Sequence, residues 1–442
     1  AGPGRARLAA GLDAGRVMGV FAQHPQHPPL LVGQAMLAQA GARVGHDGFA
    51  RLQQQAWQVA VDKGGVGAHL FNMLNDFQAH PLRANHYSAA MTTFFDALGL
   101  SAPIIQAPMA GVQDHRLAAA VSQAGGLGSL PAAMLGPDAL QAELTALRAL
   151  TDRPFNVNFF CHTPPMPDNA RGDAWHRALA PYYREMGLNP DAMPSGPGRV
   201  PFSADMADVL EAFRPAVVSF HFGLPAPELV ARIKRWGSLL LSSATTVPEA
   251  QWLQAQGADA IVAQGLEAGG HRGMFLSDDL STQVGTFALL PQIVQAVQLP
   301  VIAAGGIMDG RGVAAALALG AVGAMLGTAF LGCPEAGISD PYRKALRQGQ
   351  DDATALTRAF SGKPARGLRN RFMAEMADAP IAPYPQQHTL TRDIRAAAAK
   401  ANDPGLLSLW AGQGVGLMRN LPAGKLIGQL AEETAAALAV LR

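Results

Sequence analysis

The sequence predicts an α/β fold: a TIM (β/α)8 barrel with a smaller, mostly helical lid and C-terminal domain. Three observations predict it. From Pro103 onward, short apolar runs alternate with Ala/Leu-rich helical stretches, as in a parallel sheet with helical crossovers. Eight such runs fit in roughly 240 residues, the size of this barrel. Polar residues and glycines collect at the C-terminal ends of the runs, where barrels of this kind build their active sites. A doubly wound open sheet is the alternative, because periodicity alone does not report closure.

The strands in order are "PIIQAPM" (103–109), "GLGSL" (126–130), "FNVNFF" (155–160), "VVSFHFG" (217–223), "LLLSSA" (239–244), "AIVAQG" (260–265), "PVIAAGG" (300–306) and "GAMLGTAF" (323–330). Each is a short run rich in Val, Ile, Leu or Phe bounded by Gly or Pro. Helices are expected at 115–124, 142–150, 226–236, 248–256, 287–298 and 310–320. The stretch 161–210 interrupts the alternation with Pro, Trp and Tyr. It follows the third strand, so it lies at the C-terminal face and serves as a lid. The barrel spans 91–335, and 336–442 reads as helices packing back over the same face, with a linker at "DAPIAPYPQQ" (378–387). Residues 1–90 lack strand-like runs and open on Ala1. They are expected to be an extension outside the enzyme proper: a processed leader, an over-long reading frame or a disordered segment.

Composition narrows the function classes. The 442 residues carry a formal net charge of +1, and no basic stripe suits a nucleic-acid backbone. Cys161 and Cys333 are the only cysteines, too few for a disulfide framework or zinc site. No apolar run reaches membrane-spanning length, and no signal peptide is evident. The expectation is a cytoplasmic enzyme with no membrane or nucleic-acid partner and no metal.

If the barrel closes, Met109, Asn158, His221, Ser243, Gln264, His271, Gly305, Gly306 and Thr328 meet at one mouth. The ends of strands 7 and 8, "AAGGIMDGRG" and "MLGTAF", pair glycines with a following helix or hydroxyl. Main-chain N–H groups at such turns suit a phosphate dianion, although glycines also make plain tight turns. The amides of Asn158 and Gln264 match the donor and acceptor edges of an isoalloxazine, or are satisfied structural groups. Met109 can lie against a flat ring or belong to the core. In "EAGGHRG" (267–273) a histidine stands among glycines after a core strand. His271 can act as a base, or as a cation beside an anionic substrate. His221, in "SFHFG", faces the same space or is a structural donor. Arg272 braces the loop.

The ordered motifs "PIIQAPMAG", "PFNVNFF", "VSFHFGLP", "ATTVPEA", "DAIVAQGLEAGGHRG", "PVIAAGGIMDGRG", "MLGTAF", "FSGKPARGLRNRF" and "LSLWAGQGVG" resemble the nitronate monooxygenase family, formerly 2-nitropropane dioxygenases, of the bacterial class I type. The resemblance covers 91–442. It implies a TIM barrel holding FMN non-covalently. It implies oxidation of alkyl nitronates, characteristically propionate 3-nitronate, with O2 to carbonyl products plus nitrite or nitrate, a detoxification. Carried over, the catalytic histidine falls on His271. Cofactor contacts fall on Pro108, Met109, Ala110, Asn158, Gln264, Gly269, Gly270, Gly305, Gly306, Met325, Leu326, Gly327 and Thr328. Substrate-binding residues fall on His221 and on three mouth tyrosines, Tyr182, Tyr183 and Tyr384. Two other readings share the scaffold: an NAD(P)H-dependent flavin reductase acting on quinones or enoyl thioesters, and a non-catalytic flavin-binding barrel.

Overall fold

Eight parallel strands close on themselves in the computed structural model, which describes residues 94–165, 169–194 and 198–440, the side chains of 169–171 aside. All lie within one compact unit, Tyr87–Arg442. The expectation for residues 1–90 falls wholly on residues that are not described. No described helix is long and apolar enough to cross a membrane.

The strands are β1 (Ile104–Gln106), β2 (Gly128–Pro131), β3 (Phe155–Phe160), β4 (Val217–His221), β5 (Leu239–Ala244), β6 (Ala260–Gln264), β7 (Gly270–His271), β8 (Val301–Ala304) and β9 (Gly323–Leu326). All but β7 form the barrel sheet, in the order β1-β9-β8-β6-β5-β4-β3-β2. Closure runs through Leu127: its N–H bonds Ile104 O at 2.9 Å, and its carbonyl accepts from Gln106 N at 2.9 Å. The last predicted strand is too long. Gly327 leaves the extended conformation, and Thr328–Leu331 turns into a short helix.

Alternation along the strands sorts the side chains into two layers. Ile105, Val217, Leu241, Val262, Ile302 and Met325 fill the interior, closed below by Phe94, Phe95, Leu98 and Leu100. Their neighbours Ile104, Val157, Phe220, Leu240, Ile261 and Ala303 pack on the surrounding helices. Burying each such Leu, Ile or Phe contributes about 1.5–3 kcal/mol.

The helices are α1 (His115–Gln123), α2 (Pro137–Leu150), α3 (Asn169–Glu185), α4 (Ala204–Phe213), α5 (Pro227–Arg235), α6 (Val247–Ala255), α7 (Thr286–Ala296), α8 (Gly310–Ala318) and α9 (Thr328–Leu331). Local chemistry sets their starts. Asp114 accepts from Arg116 N at 2.9 Å, Asp309 accepts from Gly312 N at 3.0 Å, and prolines open α2 and α5.

After β9 the chain continues as α10 (Asp340–Gln348), β10 (Thr354–Thr357), β11 (Ala365–Leu368), α11 (Arg371–Glu375), α12 (Gln386–Leu390), α13 (Arg392–Lys400) and α14 (Ala423–Val440). Two features correct the expected helical tail. First, β10 and β11 form an antiparallel pair, and β11 takes β7 as its third strand. The cap built on it shares a second core with the lid, where Trp175 and Leu179 of α3 join Phe360, Phe372, Ile394 and Leu406. Second, α14 does not cover the mouth. Its Ala423, Leu426, Ile427 and Leu430 join the barrel core, and it packs between α8 and α1. It fills the place of the eighth barrel helix, and a side chain at Gly310 would collide with Glu433 upon it.

Candidate active site

The strand ends open into one cavity at the C-terminal face, lined by both strand-end residues and the cap. The loop after β6 supplies its most chemical residue. Gly270 takes φ +73°, a left-handed turn that glycine adopts without strain. His271 then pairs with Ala365, and Gly270 with Arg366, so the loop becomes an edge strand of the cap sheet. Arg272 is fully buried and holds the loop from below. Its guanidinium donates to Gly265 O at 2.6 Å, Gln264 O at 2.7 Å and Gln283 Oε1 at 2.9 Å. Burial lowers its pKa to about 10, which leaves it charged at neutral pH. Gln264 completes the clamp: its amide donates to His271 O at 3.0 Å and accepts from Gly273 N at 2.7 Å.

His271 Nε2 lies 2.8 Å from Ser361 Oγ, and the Ser361 hydroxyl donates to Lys363 O at 3.2 Å. A hydroxyl has one proton, so it accepts from His271, and the imidazole carries its proton on Nε2. Its Nδ1 has no partner among the described residues. The ring is walled by Trp410 and Tyr384 at 5.7 Å each, Phe222 at 6.0 Å and Phe160 at 6.2 Å. Burial, reinforced by the charge of Arg199, holds its pKa well below the usual imidazole range, so the ring is neutral.

His221 ends β4. Its Nε2 donates to His271 O at 3.1 Å, so its Nδ1 accepts from Ser243 Oγ at 3.1 Å. The next residue, Phe222, adopts φ +69°. That left-handed geometry costs a bulky residue about 1–3 kcal/mol and sets its ring 4.6 Å from His221. Burial pushes His221 down to about 4 from 6.5. A histidine lowered in the folded state gives stability that is present above the unfolded pKa and lost as pH falls toward the folded one. Between pH 6.5 and 5 this site alone should cost about 1.6 kcal/mol. Urea titrations at several pH values test this: the slope of stability against pH should flatten in His221→Gln, and an unchanged slope would refute it.

The ends of β8 and β9 form a cradle. Gly305 (φ +113°), Gly306 (φ +72°), Gly327 and Thr328 all border the cavity. No described residue accepts a hydrogen bond from their main-chain N–H groups, whereas the Thr328 hydroxyl accepts from Gly412 N at 2.9 Å. Such unpaired donors suit a phosphate. Asn158 donates to Ser219 O and Oγ at 3.2 and 2.9 Å, and its carbonyl oxygen has no described partner.

Of the residues singled out in the sequence, Pro108, Met109, Ala110, Asn158, His221, Gln264, Gly269, Gly270, His271, Gly305, Gly306, Met325, Gly327 and Thr328 line this cavity. Others do not. Leu326 faces the helix layer beside inward-facing Met325, because strand neighbours alternate. Tyr182 and Tyr183 lie on the apolar stripe of α3, buried in the second core. Tyr182 packs on Phe372 at 4.8 Å, and Tyr183 donates to Leu390 O at 2.8 Å. Tyr384 is buried beside His271 rather than on the cavity wall. Gly269 is required by the protein itself, since a side chain there would strike Ala411 and Gly412. Sequence reasoning missed Arg199, Ser361, His388, Arg395 and Gly412. The last lies in "LSLWAGQGVG", whose paired glycines were the available signal.

A family model described as nitronate monooxygenase matches residues 92–433. The chain is 47% identical over 352 residues to a nitronate monooxygenase of Paraburkholderia phytofirmans, covering 78% of this chain and 95% of that protein. It is 44% identical over 345 residues to the Pseudomonas aeruginosa nitronate monooxygenase, covering 77% and 98% respectively. Among solved structures, nitroalkane oxidase from Streptomyces ansochromogenes superposes with a TM-score of 0.73 at 45% identity, covering 80% of this chain and all (100%) of that one. FabK from Thermotoga maritima gives a TM-score of 0.62 at 30% identity, over 80% and 98%. This chain is an enzyme and belongs to the nitronate monooxygenase family, whose members oxidise nitronates with a flavin.

Proposed function

We propose that the chain binds FMN at the barrel mouth and oxidises small alkyl nitronates, propionate 3-nitronate among them, with O2 to carbonyl products plus nitrite or nitrate. The observation that carries this is the neutral His271, with its Nδ1 free, in the same cavity as the unpaired N–H groups of Gly305, Gly306, Gly327 and Thr328. One cradle suits one phosphate, which favours a mononucleotide. When bound, the flavin supplies the electron acceptor and the site of reaction with O2. Pro108 and Met109 line the wall, and the free carbonyl of Asn158 is available to a ring N–H.

The chain's own residues then place and move the proton. Ser361 fixes the Nε2–H tautomer, so Nδ1 is the atom able to take a proton from the carbon bearing the nitro group when the substrate arrives as the neutral nitroalkane; a nitronate arrives with that proton already gone. The neutral ring supports the base role over the pre-formed cation. Phe160, Phe222, Tyr384 and Trp410 surround the ring with apolar surface. Free Cys161 and Cys333 suit the reducing cytoplasm, where we place the reaction.

The test is anaerobic mixing with propionate 3-nitronate while the flavin spectrum is followed. Loss of the oxidised flavin band, and nitrite or nitrate release once O2 is admitted, are expected. Reduction by NADH but not by the nitronate would turn the assignment to the NAD(P)H-dependent reductase.

A further inference from the structure

Two guanidiniums share the cavity with His271, and neither forms an ion pair among the described residues. Arg199 and Arg395 both line it. Arg199 places Nη2 3.1 Å from His388 Nε2 and Nη1 3.5 Å from the Tyr384 hydroxyl, while its buried Nε has no hydrogen-bond partner. Arg395 donates to His388 O at 3.0 Å and to Thr391 O at 3.3 Å, and approaches His388 Nδ1 at 3.2 Å. The nearby carboxylate, Asp393, pairs with Arg392 at 2.9 Å and reaches Arg395 only through space. His388 offers no counter-charge, since burial and then Arg395 hold it neutral. Two converging cations without an anion are costly in a protein interior. The expected compensation is an anionic ligand.

We propose that Arg199 and Arg395 form a carboxylate-binding subsite that holds a second anionic group of the substrate, apart from the nitronate presented to His271. The inference rests on the nitronate oxidation proposed above and assigns to these two side chains the choice between a carboxylate-bearing nitronate and a plain alkyl one. Geometry supports the separation. The Tyr384 ring stands 5.7 Å from His271, and its hydroxyl meets Arg199. The guanidinium and the imidazole therefore flank one aromatic ring while both line the same cavity. The Nε of Arg199, buried and unpaired, leaves part of the edge with which a guanidinium binds a carboxylate through two parallel bonds unspent on the protein. Phosphate is already served by the main-chain cradle at β8 and β9.

The experiment compares KM for propionate 3-nitronate and propyl 1-nitronate, which has the same carbon skeleton without the carboxylate, in the holoenzyme and in Arg199→Gln and Arg395→Gln. The preference for the carboxylate substrate should fall by about 10–100-fold, the loss of a charge-assisted bond, and lysine at either position should restore part of it. If both KM values rise in parallel, the guanidiniums serve the nitronate or the fold, and the subsite is refuted. Calorimetric titration of the wild-type holoenzyme decides the matter if the variants do not fold. Propionate should bind and propionamide should not, whereas equal binding overturns the proposal. That titration needs no turnover. A wild-type enzyme inert to both nitronates sinks the reaction assignment while propionate binding still judges the subsite.

Discussion

Replacing His271 with glutamine should lower kcat/KM for a neutral nitroalkane by about 10²–10⁴-fold, the usual worth of a positioned base. The loss for the corresponding pre-formed nitronate should be much smaller, because that substrate has no carbon-bound proton to remove. The unpartnered Nδ1 and the Ser361-fixed tautomer motivate this asymmetry. Steady-state kinetics on both forms, with flavin content measured in parallel, decide it. Equal losses would mean that His271 holds the anion rather than taking a proton. Ser361→Ala acts through His271, so it should displace the pH profile of nitroalkane turnover more than it changes KM.

Arg272→Met should destabilise the protein by about 4 kcal/mol. The change removes three hydrogen bonds and leaves the buried Gln264 carbonyl and Gln283 Oε1 without this donor, while Gly265 O keeps Ala268 N at 3.1 Å. Each such orphan costs about 1–3 kcal/mol, with partial relief as the loop relaxes. Lysine should not rescue it, because a single ammonium cannot reach three acceptors held by a planar fork. The urea midpoint at constant slope is the measurement, and a shift worth less than about 1 kcal/mol would show that the guanidinium does not tie the loop.

The barrel was legible because its strands are read by period and punctuation, both of which are local. "FNVNFF" and "LLLSSA" are found as strands over the predicted residues. Errors begin where a neighbour in space decides. Nothing within "EAGGHRG" reveals that it becomes an edge strand, because its partner is Ala365–Leu368, far along the chain. Tyr182 and Tyr183 looked accessible in a polar, proline-containing stretch, yet helical spacing puts them with Trp175 and Leu179 on one buried stripe. Arg199 and Arg395 gave no signal for the same reason. Each is an ordinary surface-type residue in sequence, and only the closed fold brings the two to His388.

The position of α14 bears on how the chain is made. The helix that completes the ring between α8 and α1 is the last described element, while α1 is among the first. On the ribosome the nascent barrel therefore waits, with the apolar flanks of α1 and α8 uncovered, until residues 423–440 have emerged. During that interval the cap can already fold on its own second core, and chaperone binding should be concentrated on the unfinished seam.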